Sequence, residues 1–296
     1  MSELSSKIDQ NIEHKQNVGL KRNTIDKFYT TQSAVIKCMN LFKQYITLSK
    51  KDLIIEPSAG NGAFINQIKS LKCNYKFYDI EPEHDDIIKQ DYLIFDKNTI
   101  VSKYKNIHIV GNPPFGRQSS LAIKFIKKSC EFSDSISFIL PKSFKKDSMR
   151  KSFDLNFHLI HEEDLPEFSF EVNDVKSDVP CIFQIWKKKN EKRDKLVKSE
   201  PINFKFVKKI ESPDLSFRRV GVNAGNISKS IENKSEQSHY FIKLINKESN
   251  EETKDDKDID EIIQSLASIK FDTNNTVGPK SISKQELIKE FNTILE

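Results

Sequence analysis

The 296-residue sequence predicts an α/β fold: a mostly parallel sheet with helices on both faces, ended by an antiparallel hairpin and followed by a small C-terminal lobe. Three observations predict it. Short apolar runs alternate with helix-period segments from about residue 31 to residue 153, the pattern of a parallel sheet whose crossovers are helical. Two strand-like runs, Phe157–Asp164 and Pro180–Lys187, then follow with only an acidic loop, Leu165–Val179, between them. Finally, the charge run KKKNEKRDKLVK (Lys187–Lys198) separates this region from a stretch of different character and reads as a solvated linker.

In order along the chain, residues 1–22 are polar and are expected to be flexible. A helix is expected from Thr31, because Ala34, Val35, Cys38, Met39, Phe42 and Ile46 recur at three- and four-residue spacing. Asp52–Ile55 reads as a buried strand, Ser58–Gly62 as a glycine-containing turn, Ala63–Leu71 as a helix and Tyr75–Tyr78 as a second strand ending at Asp79. A short third strand or extended segment is expected near Ile87–Phe95, and a fourth strand at Ile107–Val110. Leu121–Phe132 reads as a helix, Ser135–Leu140 as a strand stopped by Pro141, and Ser143–Phe153 as helical. The expected domains are 23–190 for the sheet and 191–296 for the lobe. Within the lobe, Asn203–Ile210 reads as a strand, Lys247–Asp260 as a flexible charged insert, and Lys284–Leu295 as a helix with Ser283 and Glu286 forming a capping box.

Composition bounds the function only loosely. A hydrophobic content of 36% supports a sizeable core, and a net charge of +5 is compatible with a nucleic-acid partner without requiring one. Cys38, Cys73, Cys130 and Cys181 form no C-x-x-C pair, so neither a zinc site nor a disulfide framework is expected, and reduced thiols fit a cytoplasmic or nuclear location. The N-terminus has no apolar signal-peptide core, and no apolar run reaches the roughly 20 residues of a membrane span.

Four motifs carry chemistry. Glu56-Pro57-Ser58-Ala59-Gly60-Asn61-Gly62-Ala63-Phe64 stands at a strand end and opens a helix, where ligands of open α/β sheets bind. Gly60 and Gly62 permit a tight turn close to a ligand, and Glu56 can hold the amino-acid moiety of a bound cofactor. It is neither a dinucleotide fingerprint nor a P-loop, so no pyrophosphate cradle is implied. Asp79, at the end of the second strand, is placed to accept both hydroxyls of a ribose. Asp91 can accept from an adenine N6 amino group, and Tyr92 offers a flanking ring. Last, Gly111-Asn112-Pro113-Pro114-Phe115-Gly116 follows the fourth strand. Pro113 and Pro114 end the ladder and stiffen an extended turn, so that the Asn112 amide oxygen and the Pro113 carbonyl form two fixed acceptors for one planar NH2 group. Phe115 supplies a face on which a base can stack.

The segment from about Thr24 to Lys188 resembles the amino-directed nucleic-acid methyltransferases, in particular the N6-adenine enzymes. Their catalytic motif, [DNS]-P-P-[FYW], is matched by Asn112-Pro113-Pro114-Phe115, their first motif by Glu56–Phe64, and their N-terminal motif by Lys27-Phe28-Tyr29-Thr30. The resemblance implies a Rossmann-like class I methyltransferase fold, S-adenosylmethionine as cofactor, and contact of Phe28, Tyr29 and Thr30 with its methionine part. No metal is implied. Cofactor motifs preceding the catalytic motif, with extra sequence C-terminal, resemble the gamma order of DNA adenine methyltransferases. The expected activity is therefore N6-adenine methylation of nucleic acid, with DNA favoured over RNA. Two departures keep alternatives open. Asn replaces the Asp of many DNA enzymes, and Asn-Pro-Pro-Phe/Tyr also occurs in RNA adenine and protein glutamine methyltransferases. The lobe from about Glu200 is short for a DNA-recognition domain. A binding module that has lost catalysis is a further alternative, disfavoured by the intact tetrapeptide. In the lobe, Arg218 and Arg219 beside a Gly/Asn-rich turn are candidates to clamp a nucleic-acid phosphate.

Overall fold

The computed structural model describes residues 28–172, 175–195, 197–245, 256–271 and 280–296. They divide into two compact units, one within Lys21–Lys195 and the other within Leu196–Glu296. The segment 1–22, expected to be flexible, lies outside the described residues, as does Lys27.

The first unit opens with a two-residue strand, β1 (Tyr29–Thr30), and helix α1 (Gln32–Tyr45). Ala34, Val35, Cys38, Met39 and Phe42 of α1 are all buried, the single apolar stripe that their spacing predicts. Strand β2 (Leu53–Glu56), short helix α2 (Ile65–Lys69), β3 (Asn74–Asp79), the two-residue β4 (Ile88–Lys89) and β5 (Ile107–Gly111) follow. Next come α3 (Ser120–Cys130), β6 (Ser135–Pro141), one helical turn α4 (Asp147–Arg150) and β7 (Phe157–Asp164). A small hairpin, β8 (Phe170–Val172) and β9 (Val175–Ser177), precedes β10 (Cys181–Lys188).

The central sheet has the order β4-β3-β2-β5-β6-β10-β7. All neighbours from β4 to β6 are parallel, and β10 runs antiparallel between β6 and β7. Strand alternation divides the core. Leu53, Ile55, Ile107, Ile109, Ile136 and Phe138 share one cluster with Phe125 and Ile126 of α3, whereas α1 lies on the opposite face, with Phe42 edge-on to His108 at 6.2 Å. β2 and β5 are neighbours from which the chain winds outward in opposite directions, so their carboxyl ends frame the ligand crevice of the sheet. The class I methyltransferase architecture expected from the sequence is the one observed.

Several local expectations are corrected. The third strand is only Ile88–Lys89, and a 3-10 turn at Tyr92–Ile94 occupies the rest of the expected segment. The expected helix Ser143–Phe153 is broken by the extended Lys146 into a 3-10 turn (Lys142–Lys145) and α4. The acidic loop is not plain coil: β8 pairs antiparallel with β1, setting Tyr29 opposite Glu171 and Thr30 opposite Phe170. The charge run is not wholly a solvated linker either. The Arg193 guanidinium donates to the carbonyls of Phe157, Arg150 and Phe153 and lies 5.3 Å from the Trp186 ring, tying the run back to the sheet.

The second unit is a four-stranded antiparallel sheet, β11 (Phe204–Val207), β12 (Leu215–Arg218), β13 (Ile227–Ser228) and β14 (His239–Leu244), in the order β11-β14-β12-β13. Helices α5 (Asp256–Ala267) and α6 (Lys284–Leu295) complete it. Phe204, Leu215, Phe217, Ile242, Leu287 and Phe291 are fully enclosed, so the unit has its own core. The capping box between Ser283 and Glu286 is present. Of the expected flexible insert, residues 247–255 lie outside the described residues, but Asp256–Asp260 begins α5, whose Ile259 and Leu266, two turns apart, bury one face. Among the described residues no helix is long and apolar enough to cross a membrane.

Candidate active site

The carboxyl ends of β2, β3 and β5 bring the first, second and fourth motifs together. Glu56, the last residue of β2, is 2% exposed, and its Oε2 is buried without a hydrogen-bond partner. Burial, reinforced by the neighbouring Asp79 carboxylate, pushes the Glu56 carboxyl well above the usual range. The chain then turns through Gly60 (φ 52°) and Gly62 (φ 83°), left-handed conformations that favour glycine. The Gly60 N–H donates to Asp79 Oδ2 at 2.8 Å and the Glu81 N–H to Asp79 Oδ1 at 2.9 Å, so the carboxylate at the end of β3 is fixed by one amide on each oxygen.

Gly111 ends β5 at φ 149°, and a Cβ there would come within 3.1 Å of Glu56 Cγ. A glycine is therefore required where the β5 backbone passes the buried acid. In the sequence, the signal for this role of Gly111 is a glycine between a buried strand and a Pro-Pro turn.

Asn112 is the centre of the arrangement. Its Nδ2 donates to the Phe28 carbonyl at 3.3 Å and to Thr30 Oγ1 at 3.2 Å. A carbonyl only accepts, which fixes the amide with nitrogen toward β1 and oxygen away from it. That oxygen, Oδ1, is buried and has no partner. The Ser58 hydroxyl donates to the Asn112 main-chain carbonyl at 3.2 Å, joining the first motif to the fourth. Pro113 is buried, while Pro114 and Phe115 are half-buried, with Phe115 packed against the core beside α3. The amides of Leu121 and Ala122 donate to the Phe115 carbonyl at 3.1 and 3.4 Å, and a Cβ on Gly116 (φ 66°) would meet Leu121 Cγ at 2.8 Å. The tetrapeptide is thus held from both sides.

The N-terminal motif reaches the same place. The Tyr29 ring lies 3.6 Å from the point where Gly60 would carry a Cβ, and its hydroxyl donates to the Glu83 carboxylate at 2.8 Å. Glu83 is a partner that no sequence pattern marked.

Other predicted residues stand elsewhere. Asp91 caps the 3-10 turn by accepting at Oδ1 from the Leu93 N–H at 2.8 Å, and its second oxygen has no hydrogen bond among the described residues. Tyr92 is corrected: at 1% exposure it stacks on Phe125 at 5.4 Å and bonds Ser129 Oγ at 2.9 Å, so its ring is core and cannot flank a ligand. Phe64 is 1% exposed and stands at the entry to α2. Pro57 is buried beneath the turn. Arg218, the last residue of β12, and Arg219 just beyond it belong to the second unit and are engaged with different partners rather than as a pair. Arg218 Nε donates to the Val220 carbonyl at 2.8 Å, whereas Arg219 lies 5.4 Å from the Tyr240 ring and donates to the Gln237 carbonyl at 3.0 Å.

Residues 48–193 match the family model described as the EDM2 methyltransferase-like domain. No curated protein matches the chain in sequence. Among solved structures, a Pyrococcus horikoshii protein provisionally named an RNA methyltransferase is similar at 15% identity, with 58% of this chain and 92% of that one covered and a TM-score of 0.45. A Listeria monocytogenes protein provisionally named a class I S-adenosylmethionine-dependent methyltransferase is similar at 15% identity over 60% and 66% of the two chains, TM-score 0.44. The Burkholderia thailandensis 1,6-didemethyltoxoflavin-N1-methyltransferase, solved with its substrate and S-adenosylhomocysteine, is similar at 10% identity over 54% and 80%, TM-score 0.40. The strand order and the family model agree: the first unit has the fold of the class I S-adenosylmethionine-dependent methyltransferases.

Proposed function

We propose that the protein transfers a methyl group from S-adenosylmethionine to the N6 amino group of adenine in nucleic acid, with DNA as the favoured polymer. The observation that carries this reading is the Asn112 amide: Nδ2 is anchored on Phe28 and Thr30, and Oδ1 is buried without a partner. A buried unpaired acceptor is costly, roughly 1–3 kcal/mol, and such a group in a site is explained by a donor that arrives with the substrate.

The residues around it fit the cofactor. Glu56 offers a buried carboxyl with an unpartnered oxygen to an ammonium group, and a cation there would favour its ionised form against the burial that now opposes it. Asp79, oriented by two amides, retains lone pairs for ribose hydroxyls, and Asp91 retains an oxygen for an adenine amino group. With Tyr92 enclosed in the core, the apolar surface beside Asp79 is Ile80, which is 60% exposed. S-adenosylmethionine, when bound, supplies an electrophilic methyl group.

The adenine amine is a poor nucleophile because its lone pair is delocalised into the ring. Asn112 Oδ1 and the Pro113 carbonyl accept its two N–H bonds and draw the nitrogen toward tetrahedral geometry, freeing the lone pair to form the N–C bond as the donor's S–C bond breaks. The same two dipoles stabilise the positive charge on the nitrogen, which then loses one proton to water. Phe115, half-buried against the core, offers the remaining surface of its ring to the base. Holding the reacting atoms in line accounts for much of the rate, up to about 7–11 kcal/mol in well-oriented systems. In a duplex the target base has to leave its stack to reach these acceptors. The order of motifs supports DNA over RNA.

A transfer assay with isotopically labelled S-adenosylmethionine on duplex DNA, total RNA and a protein extract tests the reading. Label recovered as N6-methyladenine in DNA is expected. Label confined to RNA, or to protein glutamine, would replace the substrate, and no transfer to any of them would contradict the activity.

A further inference from the structure

The second unit contains a cavity of about 230 Å³ lined by Arg218, Asn223, Asn226, Ser228, Lys234 and His239. Every lining side chain is polar, and no carboxylate is among them. Arg218 donates through Nε to the Val220 carbonyl and through Nη1 to Ser238 Oγ at 3.5 Å, which holds the guanidinium plane while leaving other N–H groups over. Lys234 Nζ donates to Ser216 Oγ at 2.9 Å, and Lys209 Nζ is drawn to the Lys234 main-chain carbonyl at 3.0 Å. Among the described residues none of Arg218, Lys234 and His239 is paired with an acid, whereas Lys229 and Lys243 nearby in sequence are, with Asp260 and Asp214. Burial, and then the positive charges of Arg218, Lys234 and Lys209, hold the His239 imidazole below its usual range, and burial lowers Lys234. The like charges are therefore crowded without internal compensation.

Such a crowd is destabilising unless an anion enters it. We propose that this cavity is an anion site that takes one backbone phosphate of the nucleic acid, with Arg218 and Lys234 as the charged donors and Asn223 and Asn226 as neutral ones. The inference rests on the nucleic-acid reading above for the source of the phosphate. It replaces the sequence expectation of an Arg218–Arg219 pair: Arg219 is engaged with Tyr240, and the second cation is Lys234, sixteen residues further on and tied to β12 by its bond to Ser216, while the β12–β14 pairing sets His239 opposite Arg218.

The full chain is tested by fluorescence anisotropy with a labelled adenine-containing DNA duplex across a salt series. Lys234→Gln is expected to weaken binding several-fold and to reduce the slope of log K against log salt by about 0.9, the signature of one lost phosphate contact. Arg218→Lys keeps the charge but loses the planar fork, and is expected to weaken binding while leaving the slope nearly unchanged. Lys289→Gln removes the same charge from the exposed face of α6 and serves as the control, with little effect expected on either quantity. Lys234→Gln behaving like Lys289→Gln would overturn the site. The second arm is calorimetry with inorganic phosphate on the wild type and Lys234→Gln. Wild-type protein that binds no oligonucleotide but binds phosphate in a Lys234-dependent way would overturn the nucleic-acid source and keep the anion site. Binding of neither would overturn the inference entirely.

Discussion

The two ends of strands β2 and β5 carry similar residues in opposite electrostatic states. At the amino end, just before β2, Asp52 accepts from the Ser49 N–H at 2.7 Å, the Ser49 hydroxyl at 2.9 Å and Asn106 Nδ2 at 2.9 Å, with His108 Nε2 3.6 Å away. Burial alone would raise its carboxyl, but those hydrogen bonds outweigh burial and hold it below the usual range. At the carboxyl end, four residues on, Glu56 is buried with an unpartnered oxygen and is pushed well above the usual range. Asn112 Oδ1, unpartnered too, stands at the same end. A buried acid completed by the chain serves the architecture, and the incomplete one at the carboxyl end of β2 is the one proposed above to receive the cofactor.

The largest expected effect on stability breaks the architectural end. Asp52→Ala leaves the Ser49 and Asn106 donors without their acceptor and should destabilise the fold by roughly 3 kcal/mol in urea denaturation, with transfer per folded molecule unchanged. Because its carboxyl is depressed in the folded protein, the contribution of Asp52 is present above the ordinary aspartate range and fades as pH falls through it, so the deficit should narrow in acid. Glu56→Gln carries the opposite sign. A raised carboxyl favours the folded state at low pH and penalises it as pH rises past the ordinary glutamate value. The variant should therefore be more stable than wild type at neutral pH, by at most about 1.4 kcal/mol for each pH unit between the unfolded and folded values, while binding S-adenosylmethionine more weakly. Melting temperatures across pH measure this directly. The smallest effect concerns the anchor of the tetrapeptide. Thr30→Val removes one acceptor from Asn112 Nδ2 and should slow transfer by up to about tenfold, the equivalent of one net hydrogen bond, mainly in kcat.

The parallel core was legible because its signals are local: short continuous apolar runs in β2, β5 and β6, which are buried along their whole length, and the apolar stripe of α1. The glycine turn, Asp79 and Asn112 were legible because their chemistry is tied to strand ends. What the sequence withheld is non-local. β1 is two residues long and exists because β8 pairs with it from about 140 residues away, and Arg193 looks solvated in a charge run until Trp186 and the Phe153 and Phe157 carbonyls are in place. Tyr92 shows a different ambiguity, since an aromatic beside a site and an aromatic beneath it are the same letter, and only its contacts with Phe125 and Ser129 distinguish them. Lys234 lines a cavity with Arg218 through a loop that folds back onto Ser216 of β12, a contact that no short window contains.

The central claim is that Asn112 holds the accepting amino group and not the cofactor. The measurement is paired on one variant, Asn112→Ala: initial rates of labelled methyl transfer to DNA, and calorimetric affinity for S-adenosylmethionine. The account predicts a fall in transfer of about 10²–10³ or more, as for loss of one preorganised transition-state contact, with cofactor affinity retained. Lost cofactor affinity with transfer intact at saturating cofactor would contradict it.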